Sequence, residues 1–453
     1  MKKIYIITFL LALVACNDEL TQKPTASLDQ SIALSTESNV KTALLGAYDG
    51  LSGFSAALGS YGFMWGGDLI LYSELLAADG EITWVGTFNQ PREIYGKKIL
   101  TNNSFVRSNW TGGFYTINVC NNILDAIDVV NEDDQDQITG EALFIRGSIY
   151  FELVRFFGQP YSAGNTNTNL AVPLVLKPTT AITAESYPAR ATVEQIYQQV
   201  IADLTQAESL LPDENDVYAT KSAAAAILSR VYLGMGNFAD ARDAADRVIA
   251  SDLFELTPTY DGAFNNASNS SEDVFAIQVN DQDGTNDMQL YCSIPDYGGR
   301  DGDVQIEQKH LDLYDDGDAR LDLFYEGNGA VRTGKWKLQY KNVPIVRLAE
   351  MYLTRAECNV RLGTSIGATA EDDLNLIRDR VGLGPISDPD LATILRERKL
   401  ELALEGSAIH DLKRLQGSAD GFAYNANAMV FPVPARELSA NKNLEQNPGY
   451  GAN

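Results

Sequence analysis

Histidine and basic residues are scarce in this chain of 453 residues. The two histidines, His310 and His410, lie far apart in the sequence. This scarcity argues against a histidine-based catalytic triad and against a zinc cluster. Lysine and arginine number 35 against 61 acidic residues, which gives a formal net charge of −26. An acidic field of that size repels phosphate backbones and argues against nucleic acid as a partner.

Cysteine is also rare, with four residues and no closely spaced pair. A disulfide framework is therefore not indicated. Cys120 and Cys358 fall within helical patterns, where a buried and inert thiol is the ordinary expectation.

Long hydrophobic runs are almost lacking. The exception, Ile4–Val14, has 11 residues and follows two lysines, whereas a membrane-spanning helix needs about 20. This layout is typical of a secretory signal peptide. The position of Cys16 after the small residue Ala15 resembles the lipobox of bacterial lipoproteins. The resemblance implies that residues 1–15 are removed and that Cys16 becomes the acylated first residue.

The residues after Cys16 suggest a location. Asp18 and Glu19 resemble the acidic surface-export signal of some Gram-negative lipoproteins, which implies the outer face of the outer membrane. A solvated linker is the alternative, and residues 16–27, with Pro24, are typical of a flexible tether. An ordinary secreted protein remains the alternative to the lipid anchor. We expect residues 28–453 to form one body.

Helical periodicity dominates that body. In several segments the apolar residues recur every 3.6 positions, which predicts amphipathic helices, and these helices occur in pairs of tetratricopeptide length. The predicted pairs are Ala223–Gly234 with Phe238–Ala250, the helix around Leu143, Gly147 and Tyr150 with Val193–Leu211, and Pro344–Gly363 with Asp372–Arg380. Small residues at these spacings let paired helices approach closely, so each pair can cover the next. The predicted fold class is mostly α.

Two long stretches break the helical pattern. Leu51–Asn109 is rich in glycine, asparagine and aromatic residues, and Asn265–Lys337 is rich in aspartate, glycine and tyrosine, with a short predicted strand at Val274–Val279. Loops of this length in a compact domain are usually functional or disordered, and their aromatic content argues against disorder. The body divides at about residue 260 into an N-terminal half, 28–260, and a C-terminal half, 261–453.

The C-terminal sequence is the most specific part of the chain. Residues Phe431–Tyr450 read FPVPARELSANKNLEQNPGY, which resembles the closing signature of the SusD/RagB family of nutrient-binding surface lipoproteins. Three upstream segments, Arg347–Glu357, Leu374–Arg380 and Glu397–Arg414, continue the resemblance in the right order. The resemblance covers about Val343–Tyr450.

Membership of that family implies both a fold and a partner. The fold is a mostly helical body in which about four tetratricopeptide-like units scaffold the loops that carry the ligand site. The partner is a TonB-dependent barrel transporter of the SusC type, on which the protein acts as a hinged lid and delivers oligosaccharides, or sometimes peptides. The signature itself is expected to be structural: Phe431–Pro434 as extended chain, and Gln446–Tyr450 as a buried clasp.

Candidate ligand residues come from the two long stretches. A pyranose offers a C–H face and a rim of hydroxyls, so its binding needs flat aromatic faces with polar groups around them. Trp84, in the polar and glycine-flanked segment Asp79–Gln90, is the leading candidate, although such a tryptophan can also pack on the body. The candidate glycan-binding residues are Trp65, Asp79, Trp84, Phe88, Asn89, Tyr291, Tyr297 and Trp336.

Two other function classes stay open at this stage. A surface glycoside hydrolase needs paired carboxylates, whose spacing in space a sequence does not show. A tetratricopeptide adaptor would recruit proteins and bind no glycan. The sequence predicts no catalytic residue and no cofactor, apart from a structural calcium ion at Asp281–Asp287, which resembles half of a calcium loop but lacks its later glycine and glutamate.

Overall fold

The computed structural model describes residues 33–53, 63–282 and 284–451. The predicted signal peptide, Cys16 and the tether therefore lie outside the described residues. Helices dominate the described chain. They are α1 Glu37–Ser52, α2 Asp68–Leu76, α3 Asn89–Tyr95, α4 Ser104–Asp125, α5 Glu132–Phe157, α6 Val193–Leu210, α7 Lys221–Met235, α8 Phe238–Ile249, α9 Asp287–Cys292, α10 Gln308–Leu311, α11 Leu348–Leu362, α12 Ala370–Arg380, α13 Leu391–Glu401, α14 Ala408–Arg414 and α15 Ala435–Ala440.

Successive helices pack side by side in the order α4, α5, α6, α7, α8, α11, α12, so each covers a face of its neighbour. The three predicted helix pairs are present: α5 with α6, α7 with α8, and α11 with α12. This confirms the mostly α, tetratricopeptide-like architecture expected from the periodicity.

The pairing of α5 with α6 shows why small residues recur. A Cβ added at Gly147 would lie 3.1 Å from Cβ of Asp203 and from Cγ of Leu204, so the glycine sets how closely the helices approach. Next to it, Arg146 and Asp203 form a buried two-pronged ion pair, with Nη2 to Oδ1 at 2.7 Å and Nε to Oδ2 at 2.8 Å. The α7–α8 turn uses Gly236 at φ +78°, a conformation that favours glycine.

The strands are short and pair in twos. They are β1 Ile82–Trp84, β2 Leu170–Pro173, β3 Arg190–Thr192, β4 Asp273–Ile277, β5 Val304–Ile306, β6 Phe324–Gly327, β7 Ala330–Thr333, β8 Val343–Arg347, β9 Ser418–Ala419 and β10 Phe422–Ala423. All five pairs are antiparallel: β1 with β5, β2 with β3, β4 with β8, β6 with β7, and β9 with β10. The strand predicted at Val274–Val279 is confirmed as β4.

One helix boundary was wrong. The pattern predicted a helix from Pro344, but Val343–Arg347 forms β8 and pairs with β4, and α11 begins at Leu348. The buried β-branched residues Ile345 and Val346 fit a fully buried strand, and a short apolar run of this kind cannot be distinguished from a helix by period alone. The predicted end is confirmed, since Gly363 caps α11 at φ +63°.

The C-terminal signature closes the fold as a clasp. Phe431–Pro434 is extended, and the Phe431 amide donates to the Phe156 carbonyl at 2.8 Å. The Gln446 side chain bonds both the N–H and the C=O of Val433, at 2.8 Å each. The Tyr450 hydroxyl donates to the Val430 carbonyl at 2.6 Å. The extended chain and the clasping hydrogen bonds agree with the structural role expected of the signature, but the clasp is only partly buried: Asn447 is buried, whereas Pro448 and Gly449 are exposed.

Buried charge concentrates between α11, α12, α13 and the chain after α13. Arg347 bonds three carboxylates there: Glu272 at 2.7 Å, Glu401 at 3.1 Å and Glu405 at 2.8 Å. The surrounding arginines hold the pKa of Glu401 at about 2, although burial alone would raise it. These ion pairs fix the C-terminal half around the strands that carry the second long loop.

Among the described residues, no helix is both long and apolar enough to cross a membrane. Cys120, Cys292 and Cys358 are free and buried. Burial raises the pKa of Cys120 and of Cys358 to about 12, so both thiols are protonated and inert as expected.

Candidate functional site

The two long loops meet at a two-stranded ladder. In the β1–β5 pair, Ile82 lies opposite Ile306 and Trp84 opposite Val304, and the Val85 amide continues the ladder to the Asp303 carbonyl at 2.8 Å. The first loop is thus anchored on the second, although more than 200 residues separate them in the chain.

A glycine lets the first loop turn closely over the ladder. A Cβ added at Gly86 would lie 2.5 Å from Cζ2 of Trp84 and 2.7 Å from Cγ of Asp303, so a larger residue would displace one of them. Thr87, Phe88 and Asn89, which follow this glycine, are exposed, whereas Trp84 is buried.

Three aromatic rings are layered at this turn, and a fourth, Phe105 on α4, packs against the outermost ring, Phe88, with centroids 5.9 Å apart. Trp84 contacts Tyr291 edge-on, with ring centroids 5.5 Å apart, and Tyr291 contacts Phe88 edge-on at 6.1 Å. Trp84 and Tyr291 are 5% and 3% exposed, whereas Phe88 is 39% exposed. The two buried rings therefore support a third that faces solvent.

Arg300 from the second loop completes the cluster. Its guanidinium carbon lies 4.2 Å from the centroid of the Phe88 ring. The same guanidinium donates to Asp303 at 2.9 Å and to the Thr87 hydroxyl, which fixes its orientation. Burial raises the pKa of Asp303, and Arg300 opposes that shift. We call the surface formed by Thr87, Phe88, Asn89 and Arg300 the Phe88 face.

Polar groups surround the exposed ring. The Asn89 side-chain oxygen accepts from Arg92 Nη1 at 3.0 Å, and Arg92 Nη2 donates to the Gly86 carbonyl at 2.6 Å, so the turn is held from below. Among the described residues, the side-chain N–H₂ group of Asn89 donates to no partner, so it is available to a ligand. An exposed ring with amide, hydroxyl and guanidinium groups around it can contact both the C–H face and the hydroxyl rim of a sugar.

Tyr297 lies three residues before Arg300. Its ring contacts Tyr325 edge-on with centroids 5.7 Å apart, and Lys337 Nζ lies 4.3 Å from the Tyr297 centroid. The tyrosine is half-buried. Tyr297 and Lys337 thus form a second aromatic and cationic group in the same loop as Arg300.

The structure thus brings together four of the eight candidate residues: Trp84, Phe88, Asn89 and Tyr291. The expectation that Trp84 presents a free face in a loop is wrong, because it lies on β1 and its ring is covered. Tyr291 is covered in the same way. Both support the Phe88 face from beneath, and Phe88 rather than Trp84 is the exposed ring.

The remaining tryptophan candidates are core residues. Trp65 is 3% exposed, donates from Nε1 to Glu152 at 2.9 Å and packs against Phe275. Trp336 is equally buried and donates to the Leu404 carbonyl at 2.8 Å. Neither has an accessible ring face, because both indoles are buried.

Asp79 is already engaged within the protein. Its carboxylate accepts from the Asp420 amide at 2.8 Å and from Lys309 at 2.9 Å, and these two donors hold its pKa below the usual range. The residue joins the first loop to the β9–β10 hairpin and to α10. The sequence analysis places Asp79 with Trp84 because the two residues are close in the chain. In the structure, the Asp79 carboxylate joins two loops instead.

Arg300 and Thr87 were missed by the sequence reasoning. The signal available was a lone arginine within Gly298-Gly299-Arg300-Asp301-Gly302, in a loop otherwise rich in acids. Residue type alone gave no reason to pair it with Phe88, because the β1–β5 register that joins the loops is not visible in the sequence.

The suggested calcium loop includes Asp283, which lies outside the described residues. Of its neighbours, Asn286 caps α9 by accepting from the Gln289 amide at 2.8 Å, and Asp287 is buried. In the described part of the chain, no group of three or more histidine, cysteine or acidic residues is placed to hold a metal ion.

Comparisons with known proteins agree with this architecture. A family model described as "Starch-binding associating with outer membrane" matches residues 78–233, and the SusD family model matches residues 237–430. The SusD-like protein P2 of Formosa agariphila is 26% identical, with 99% of each chain covered.

Two further comparisons show similarity, one in sequence and one in structure. The starch-binding protein SusD of Bacteroides thetaiotaomicron is 29% identical over 126 residues, which cover 24% of this chain and 22% of that one. A crystal structure of a SusD superfamily protein from the same species superposes with a TM-score of 0.79 at 26% identity, covering 91% of this chain and all of the other. The chain belongs to the SusD family.

Proposed function

We propose that this protein is a non-catalytic, carbohydrate-binding lipoprotein of the cell surface, and that the Phe88 face is where it contacts a glycan. The observation that carries the proposal is the exposed Phe88 ring, supported by Tyr291 and Trp84 and bordered by Arg300. The family description, which names starch binding and outer-membrane association, supports the same ligand class.

The chemistry of the face suits a sugar ring. The C–H bonds of a pyranose pack on an aromatic ring, and Thr87, Asn89 and Arg300 can exchange hydrogen bonds with its hydroxyls. An aromatic contact contributes about 0.5–1.5 kcal/mol, so one ring gives weak binding. Useful affinity then requires several sugar units. The Tyr297–Lys337 group, whose tyrosine precedes Arg300 by three residues in the chain, offers a further contact.

We further propose that the protein works as the lid of a SusC-type TonB-dependent barrel in the outer membrane and delivers oligosaccharides to it. The family membership and the lipobox-like Cys16 support this role. The body of residues 28–453 would then be linked to its lipid by the tether of residues 16–27. Co-purification of a barrel transporter with the tagged full-length protein, solubilised from membranes, tests this partner.

One experiment separates the three function classes. The purified protein is run in affinity gels containing a panel of polysaccharides, and the same polysaccharides are assayed for release of reducing ends. Retardation without release supports a binding protein. Release would identify a glycoside hydrolase, and the absence of both across the panel would favour a protein-binding adaptor.

A further inference from the structure

Lys413 is a buried ammonium group without a carboxylate partner among the described residues. The residue lies on α14 and is 3% exposed. Among the described residues, its Nζ donates one hydrogen bond, to the Arg155 carbonyl at 3.2 Å. A buried ammonium ordinarily has a counter-ion, because removing its charge from water costs several kcal/mol.

The neighbouring cations do not share this condition. Arg398 bonds Glu350 and Asp411, Arg414 bonds Asp411 and Glu357, and each of these distances is 3.1 Å or less. Every carboxylate in this group is therefore already paired with an arginine. Among the described residues, Lys413 is the cation of this group that forms no ion pair with a carboxylate.

A cavity of about 70 Å³ lies beside Lys413, bounded by α5, α7 and α14. Single polar atoms that line it also lack partners, although the Arg155 guanidinium itself donates from Nη2 to Glu152. The Nε of Arg155 and the side-chain oxygen of Gln159 are buried without a hydrogen bond among the described residues. The His410 ring packs edge-on against Phe156, with ring centroids 5.0 Å apart.

We propose that this cavity binds a small oxyanion, a carboxylate or a phosphate-like ion, held by the Lys413 ammonium and the Arg155 guanidinium. The anion supplies the missing counter-charge and satisfies the orphan Nε–H. Gln159 can turn its N–H₂ group into the same space. Buried polar groups are nearly always hydrogen-bonded, and here two unpaired side-chain atoms, on Arg155 and Gln159, belong to residues that line one cavity with Lys413.

The titration behaviour of the site agrees with the geometry. Burial, together with the charge of Arg155, lowers the pKa of Lys413 to about 7. Burial and the charges of Arg155, Lys413 and Arg230 hold the pKa of His410 well below its usual value. The charged groups around Lys413 are Glu152 and Arg155 on α5, Arg230 on α7, Glu350 on α11, Arg398 on α13, Glu405 after α13, and His410, Asp411 and Arg414 on α14.

Proton linkage follows from these directions. A bound anion favours the charged form of Lys413 and so raises its pKa. At pH 8, where Lys413 in the empty site is mostly neutral, binding of the anion therefore takes up a proton. Sulfate is the probe of choice because it does not titrate in this range. Isothermal titration of sulfate into the full-length mature protein, at pH 8 in two buffers of different ionisation enthalpy, measures affinity and proton uptake together.

We expect sulfate to bind wild-type protein with uptake approaching one proton. The Lys413→Met variant is expected to bind at least about tenfold more weakly and without uptake, since it lacks the charged donor. Lys221→Met, which removes an exposed lysine, is the matched control and should behave as wild type. Failure of wild-type protein to bind sulfate, or equal affinity in Lys413→Met, would overturn the assignment.

The wild-type measurement stands even if Lys413→Met does not fold, because absence of sulfate binding to the wild-type protein already contradicts the site. Acetate and galacturonate are then tested as competitors of sulfate. Competition by acetate indicates that the site takes free small carboxylates, and competition by galacturonate indicates that it takes the carboxylate of an acidic sugar. Either result supports an oxyanion site. Absence of competition by both would contradict the carboxylate class and leave phosphate-like ions.

Discussion

The guanidinium carbon of Arg300 lies 4.2 Å from the centroid of the Phe88 ring, and the two residues come from loops more than 200 positions apart. A planar cation over an aromatic ring stacks on one face of that ring and carries donors at its edge. Replacing Arg300 with lysine keeps the charge and removes the plane. We expect Arg300→Lys to lower glycan affinity about three- to tenfold, as measured by affinity electrophoresis.

The matched control for Arg300 is Arg247→Lys, since Arg247 is a partly exposed arginine on α8 with a carboxylate partner, Glu208. That variant should migrate as wild type in the same gels. If Arg300→Lys is also indistinguishable from wild type, the guanidinium plane plays no part in glycan binding.

Trp84 should behave as a core residue. Removing its buried indole leaves a cavity beneath Phe88, so Trp84→Ala is expected to lower the free energy of unfolding by about 3–5 kcal/mol. Thermal or urea denaturation followed by circular dichroism measures this loss. An unchanged melting temperature would show that the ring is not packed as described.

The buried carboxyl pair Asp68 and Asp287 predicts a pH dependence of stability. Burial raises the pKa of Asp68 to about 6, and burial together with the charge of Asp68 raises that of Asp287 further above its usual value. Because the folded-state values are raised, the pair stabilises the fold below about pH 4, and this contribution is lost as the pH rises through the folded values.

Asp287→Asn keeps a neutral side chain at every pH. We expect this variant to lose less stability than wild type between pH 5 and pH 8, as measured by urea denaturation at intervals across that range. Asp213→Asn, at an exposed position, is the control and should follow the wild-type curve. Parallel curves for Asp287→Asn and wild type would contradict the pH-dependent role of the pair.

The C-terminal clasp depends on Asn447. Its amide donates to the carbonyls of Phe157 and Phe431, at 2.8 and 2.7 Å, and accepts from Arg190 at 2.7 Å. Asn447→Ala leaves these buried groups unpaired and should cost at least about 2 kcal/mol of folding stability, without changing glycan affinity in native gels. A stable variant with lost binding would place the signature in the ligand site instead.

Sequence reasoning succeeded where local chemistry decides the structure. The hairpin of α7 and α8 follows from its period and from Gly236, and the clasp follows from a motif that spans 20 residues. It failed where long-range pairing decides. Val343–Arg347 becomes a strand because β4 lies beside it, and Trp84 is buried because β5 and Tyr291 cover it.

The same limit applied to the candidate site. The sequence supplied Phe88, Asn89 and Tyr291 by residue type and loop position, but it ranked them below Trp84. It did not supply Arg300, since nothing local links that arginine to Phe88. Exposure is a property of the finished packing, so residue type alone could not show which ring of the cluster faces solvent.

The most direct test of the Phe88 face is the glycan affinity of Phe88→Ala against that of Tyr115→Ala, which removes a similarly exposed aromatic ring on α4. Both variants should keep the wild-type melting temperature. We predict that Phe88→Ala binds the retarding polysaccharide about three- to tenfold more weakly than wild type, whereas Tyr115→Ala binds it equally well. Wild-type affinity in a folded Phe88→Ala variant would contradict the assignment of the glycan site to this face.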